Sequence, residues 1–192
     1  MKKSFWIIWL IVVLVLRVGG KYNGLVTLEE QVEQSWAQVE NQYQRRTDLI
    51  PNLVNTVKWF AEQEESVLVG VVEARAKATQ TQVNLENPAS LEAFQSAQGD
   101  LSSALSRLLV TVESYPELKS DQTFLNLQTQ LEGTENRIAV ERMKYNETAT
   151  TYNTRIRQFP ANIAAMVFGF DRKALFEAQE GSEVAPTVDF GE

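Results

Sequence analysis

Phe124, Leu131, Ile138, Tyr145, Tyr152 and Phe159 fall at intervals of seven residues, a ladder five heptads long. Seven residues are two helical turns, so the pattern holds one apolar edge toward partner helices with slight left-handed supercoiling. A strand would alternate apolar and polar positions, and no stretch of useful length does so. The companion positions Leu127, Thr134, Glu141, Thr148 and Arg155 are mostly polar, which predicts a narrow seam and a wide wet face. Upstream, Phe94, Leu101, Leu108 and Tyr115 repeat by seven, as do Leu91, Gln98, Leu105 and Val112, with Gln98 the polar interruption. Earlier still, Leu25, Leu28, Val32, Trp36, Val39 and Tyr43 recur every three or four residues, one stripe of a helix. The stripe resumes after Pro51 as Leu53, Val57, Phe60, Val67 and Val71, with Glu64 its polar exception. Pro51 either kinks one long helix or begins a second, and the lack of a glycine favours the kink.

Turn signals divide these segments. Residues 79–90, TQTQVNLENPAS, read as a connection through Asn87-Pro88. Tyr115-Pro116 ends one helix, and Ser120 or Asp121 caps the next. Phe159-Pro160 closes the long ladder, a short apolar helix follows at 161–168, and residues 177–192 form an acidic tail in which Phe190 can pack back. The expectation is an all-α, up-and-down four-helix bundle of long helices. Residues 1–21 form a membrane anchor, 22–176 the bundle and 177–192 the tail.

The anchor is the unbroken apolar run Phe5, Trp6, Ile7, Ile8, Trp9, Leu10, Ile11, Val12, Val13, Leu14, Val15 and Leu16, preceded by Lys2 and Lys3. Twelve helical residues rise only about 18 Å, and continuing through Gly20 reaches about 24 Å if Arg17 snorkels to the headgroups. Trp6 and Trp9 suit the near interface. A cleaved signal peptide is the competing reading, with a basic start and small residues at Gly19-Gly20. A buried core helix fits poorly, because the run is apolar on every side. Lys2, Lys3 and the amino terminus outweigh Arg17 and Lys21 by one charge, which favours the bundle on the extracytoplasmic side.

The chain has no histidine and no cysteine, and carries 18 basic against 25 acidic residues. That removes the usual neutral-pH general base, thiol chemistry, disulfides and the common zinc, haem and iron–sulfur ligand sets. Residues 1–21 contain no acid, so the remainder carries −11. Such a body is repelled by phosphate backbones, and nucleic-acid binding is not expected. Phosphate-binding and calcium loops are missing. The acid groups Glu62, Glu64, Glu65 and Glu177, Glu180, Glu183 read as solvated surface. No catalytic, metal or cofactor residues are assigned, and the chain is not expected to be an enzyme; Glu64, inside an apolar stripe, is the one sequence-level reason to look for catalysis.

Two polar clusters stand out. Arg45, Arg46, Asp48 and Asn52 surround Leu49-Ile50-Pro51, while Asn136, Arg137, Tyr145 and Asn146 lie with Glu135, Glu141 and Arg142 on the ladder helix. Arginine favours forked carboxylate pairs, so both clusters read first as networks fixing bundle register, and second as partner-docking surfaces. Tyr145-Asn146 and Tyr152-Asn153 repeat at seven residues and read as core edge.

A set of short motifs runs through the chain: Tyr22-Asn23, Leu25-Val26, residues 36–42 (WAQVENQ), Arg45-Arg46, residues 48–54 (DLIPNLV) and Ala74-Arg75-Ala76. It continues in residues 134–138 (TENRI), Tyr145-Asn146, Tyr152-Asn153, Phe159-Pro160, residues 168–170 (FGF) and the terminal Pro186, Val188, Asp189 and Phe190. In these motifs the chain resembles the LemA family of bacterial membrane-associated proteins. The resemblance implies one N-terminal transmembrane segment followed by a helical bundle, without enzymatic activity, cofactor or ligand. It implies an envelope or membrane protein as partner, a membrane peptidase among the candidates. The chain departs from the family in its short anchor followed by Arg17, and in carrying Gln63-Glu64 where members often have a histidine–glutamate pair. The expected function is a single-pass, membrane-anchored, non-catalytic envelope scaffold or adaptor. The alternatives are a sensor-like bundle binding a small ligand and an exported soluble bundle after signal cleavage.

Overall fold

The computed structural model describes residues 2–61 and 63–177, and within the first 18 residues only the side chains of Trp6 and Trp9. The described residues are helical apart from turns, the 81–87 connection and the segment after α6, and contain no strand. The helices are α1 (Lys2–Phe60), α2 (Glu65–Gln80), α3 (Pro88–Val112), α4 (Pro116–Lys119), α5 (Gln122–Arg157) and α6 (Ala161–Phe168).

Helix boundaries follow local chemistry. The Asn87 side chain accepts from Ala89 N–H at the start of α3, with Pro88 in the first turn, where its missing donor costs nothing. Asp121 rather than Ser120 caps α5, accepting from Phe124 N–H at 2.9 Å. α6 ends at Gly169, whose φ of 75° only glycine adopts without strain, and both Gly169 and Phe170 N–H close back on Ala165 O.

α1 packs most extensively against α5, and α2 against α3. α1 and α5 are antiparallel, with Ser35 beside Thr148 and Arg46 beside Glu135. α2 and α3 are also antiparallel: Lys77 pairs with Asp100, and Ala104 and Arg107 lie across from Ser66 and Gly70. α3 runs parallel to α1, bringing Phe94 against Trp36 and Tyr43, then Gln98 and Ser102 against Arg46.

Pro51 does not begin a second helix, in line with the favoured reading, but two other sequence expectations change. α1 continues through Pro51 to Phe60 as one helix. The apolar stripe from Phe60 to Val67, however, is not continuous helix: the chain leaves α1 at Ala61 and reverses, so Arg75 of α2 returns to Thr47. The three-and-four spacing carries across that turn without interruption, which hides it from a periodicity argument. Finally, the ladder is buried from Phe124 to Tyr152, but Phe159, its last rung, is 80% exposed because α5 has already ended.

Among the described residues, no helix is long and apolar enough to cross a membrane. The anchor expected at Phe5, Ile7, Ile8 and Leu10 through Leu16 falls on side chains outside those described, while Trp6 and Trp9 are exposed. Glu62 and the tail from residue 178, including Glu180, Glu183 and Phe190, also lie outside the described residues.

The core has two lobes. One gathers Leu25, Val32, Trp36, Val39 and Tyr43 with Phe94, Ile138, Tyr145, Tyr152 and Phe176. The other joins Ile50, Leu53 and Val57 to Leu68, Leu101, Leu108, Leu118 and Phe124. Each helix that crosses both lobes changes character between them: Arg46 and Thr47 on α1, Gln98 on α3 and Thr134 on α5 are buried polar residues.

Candidate functional site: a polar belt and a clamped strap

Arg46 is the centre of the belt, only 2% exposed. Its guanidinium donates to Ser102 Oγ at 3.0 Å, to the Glu135 carboxylate and to the Gln98 side-chain oxygen, tying α1, α3 and α5 together. Gln98 in turn donates to Ala78 O of α2 at 3.4 Å. The guanidinium lies 5.2 Å from the Tyr43 ring centroid, within cation–π range. Burial pushes the Tyr43 phenol up, against the pull of Arg142 and Arg46. A buried cation sharing three helices is tolerable only when all three sit in one register, since a slip would leave it uncompensated. Arg46 Nε itself is buried and has no partner among the described residues. Beside the network lies a cleft of about 470 Å³ lined by Tyr43, Gln95, Gln98, Glu135 and Arg142.

Pro51 completes the belt from the other side. Having no N–H, it leaves the carbonyl four residues earlier, at Thr47, without its helical donor. Arg75 Nε supplies one at 2.8 Å from α2. Thr47 is buried, so water does not readily take that role.

Residues 171–177 form the second site, an extended strap along α5. Asn153 accepts from Lys173 N–H at 2.9 Å and donates to Lys173 O at 2.8 Å. Asn146 treats Phe176 in the same way, both bonds 2.9 Å. Seven residues of helix rise about 10.5 Å and three of extended chain about 10 Å. The Tyr-Asn repeat on α5 therefore matches the spacing between Lys173 and Phe176. Tyr145 Oη adds a bond to Ala174 O at 2.8 Å, and Ala174 N–H reaches Leu85 O at 2.6 Å. Phe176 stacks on Trp36 and carries the Arg142 guanidinium 4.5 Å above its ring. Lys173 is buried with its ammonium 2.8 Å from Glu29 and 2.9 Å from Glu86. Burial works to lower this ammonium's pKa, but the bonds and charges of the two carboxylates outweigh it and hold it above the ordinary lysine range. Burial pushes the Tyr145 and Tyr152 phenols up to about 12.

Of the residues singled out by sequence, Arg46 enters the belt, and Tyr145 and Asn146 enter the clamp. Arg45, Asp48, Asn52, Asn136 and Arg137 are exposed on outer helix faces, Asp48 accepting from Gln44 at 2.7 Å. Sequence reasoning missed Asn153 and Lys173 as strap contacts and Ser102 and Arg75 as network members. The signals for the first and for the belt were available, in the second Tyr-Asn pair and in Gln98 as the seam's interruption. Glu64 sits in the α1–α2 turn, half-buried, and accepts from Tyr115 Oη at 3.0 Å, which raises that phenol.

Fold and sites together define an all-helical protein whose buried polar residues connect its own helices and strap. Residues 35–190 match the model of the LemA family. The chain belongs to that family. It is similar to magnetosome protein MamQ 2 of Paramagnetospirillum magneticum (strain ATCC 700264 / AMB-1), at 29% identity over 85% of this chain and 67% of the relative. MamQ of Magnetospirillum gryphiswaldense (strain DSM 6361 / JCM 21280 / NBRC 15271 / MSR-1) is 28% identical over the same shares. Protein LemA of Metamycoplasma hominis (strain ATCC 23114 / DSM 25592 / NBRC 14850 / NCTC 10111 / PG21) is 22% identical over 84% of this chain and 71% of its own. Neither name denotes an enzymatic activity.

Proposed function

We propose that this chain is a membrane-anchored, non-catalytic scaffold or adaptor of the bacterial envelope, a four-helix bundle held at the membrane by residues 1–21. The observation that carries the proposal is the continuity of α1. It is one helix of 59 residues, about 88 Å, leading from the apolar N-terminal run into both core lobes. An anchor joined this way passes membrane position to the bundle without a flexible joint. The buried polar groups support a non-catalytic role, since Arg46 and Lys173 are engaged by internal partners. The partner is an envelope or membrane protein, a membrane peptidase being the class the family resemblance suggests. The small-ligand alternative draws its support from the cleft beside Arg46, whose volume falls within the range of ligand pockets.

The absence of cysteine makes the test direct. Ser114, exposed in the turn after α3, is changed to cysteine, and intact cells are treated with a membrane-impermeant maleimide before fractionation. Labelled protein in the membrane pellet is expected. Labelling only after lysis would reverse the orientation, and soluble protein would refute the anchor in favour of an exported, cleaved form. Recovery of monomer alone after mild crosslinking in the native membrane would refute the adaptor role.

A further inference from the structure

α6 has its small residues inside and its large ones outside. Ala161, Ala164 and Ala165, at i, i+3 and i+4, are buried as the helix packs against α1 and α5. Met166, Val167 and Phe168 face solvent, Met166 at 81% exposure, and Phe159 just before the helix is equally bare. A surface helix normally arranges these the other way round, and grouped large apolar side chains mark a contact surface.

The position of this patch indicates what covers it. The Tyr22 ring packs edge-on against Phe168 at 4.8 Å and Phe170 at 5.7 Å. Tyr22 lies only about 9 Å along α1 from Leu16, where the apolar run ends. The register of α1 on α5, Ser35 beside Thr148 and Arg46 beside Glu135, puts Arg157 level with the Leu25 turn. Residues 19–28 and 148–170 meet at this end of the molecule. They hold Lys21, Arg155 and Arg157 without one acid, and Arg17 closes the apolar run on the same side, while Lys2 and Lys3 stand at its far end. Arg155 and Arg157 are exposed. Large exposed apolar side chains at the same end of the molecule as exposed arginines suit anionic phospholipid, into which the bulk inserts while the cations meet the headgroups.

We infer that Phe159, Met166, Val167 and Phe168 form a second membrane contact, a wedge that enters the lipid interface beside the anchor with Arg155 and Arg157 at the headgroups. This rests on the anchored reading above. It deepens that reading by fixing how the bundle stands, with its α6 end against the bilayer.

The test uses the full chain in vesicles of phosphatidylcholine and phosphatidylglycerol in equal parts. Val167→Cys carries a nitroxide, and Val110→Cys, an exposed apolar position on α3, carries the reference label. Flotation reports the anchor, and collisions with oxygen and with a water-soluble nickel chelate report the wedge. The expected result is co-flotation, with the label at 167 losing most of its nickel collisions relative to 110 while keeping oxygen collisions. Arg155→Glu with Arg157→Glu should leave flotation intact and restore nickel access at 167. Co-flotation with a nickel-accessible label at 167 overturns the wedge and leaves the anchor standing. Shielding from both reagents means that protein covers the patch, which also overturns it. Failure to float overturns anchor and wedge together.

Discussion

Asn153→Ala should release the strap. The substitution strips partners from both Lys173 N–H and Lys173 O, and Asn153 is buried. Leaving two such groups unpaired costs about 1–3 kcal/mol each, or roughly 2–6 kcal/mol if the strap stays in place. The segment can instead undock, which bounds the loss by what docking contributes: the burial of Phe176, worth about 2 kcal/mol, and the remaining bonds at Tyr145 and Asn146. Undocking at a net cost of about 2–3 kcal/mol is therefore expected. Asn146 is half-buried, so water can replace part of its clamp, and Asn146→Ala should cost only about 0.5–1.5 kcal/mol. Urea melts of the two variants give the energies, and amide exchange across residues 171–177 tells undocking from uniform destabilisation. Exchange should accelerate at Lys173, Ala174 and Phe176 while the α3 amides change little. If Asn153→Ala costs less than Asn146→Ala, or the strap amides stay as protected as in the parent, the clamp account is wrong.

Arg75→Met should cost about 1–3 kcal/mol by orphaning the Thr47 carbonyl, and less than half of that in a Pro51→Ala background, where residue 51 regains its N–H. A double-mutant cycle by urea melting checks this; additive effects would show that the two residues are unrelated. At high pH, the raised folded-state pKa values of Lys173, Tyr145 and Tyr152 make their contributions complete below the unfolded values near 10, then lost as pH rises through the folded ones. These groups should therefore leave stability flat from neutrality to about pH 10 and lower it steeply beyond, with their phenolate absorbance appearing only on unfolding; early reversible titration of both tyrosines in native protein would contradict their burial.

How much of this was legible beforehand varies with the residue. The ladder on α5, the Asp121 cap and the Asn87-Pro88 start of α3 are local matters, and local chemistry decided them. Gln98 announced itself by interrupting an apolar seam, and Arg46 by its position in a conspicuous polar run. The reversal between α1 and α2 did not, because spacing records which side of a helix a residue faces, not whether the helix continues. The clamp was half visible: the Tyr-Asn repeat put the tyrosines at the core edge, but nothing in it indicated that the asparagines would hold backbone.

By itself, the sequence determined an all-helical chain, its main helix ends and an acid-free, apolar start, since propensity, capping and periodicity act over a few residues. Only the tertiary structure decided that Arg46 meets Glu135, that Arg75 serves the carbonyl Pro51 leaves bare, and that Lys173 and Phe176 lie against two asparagines. Those partners stand 20 to 89 residues apart, and which distant groups satisfy one another depends on helix register. Packing the whole chain at once sets that register, and no single segment encodes it.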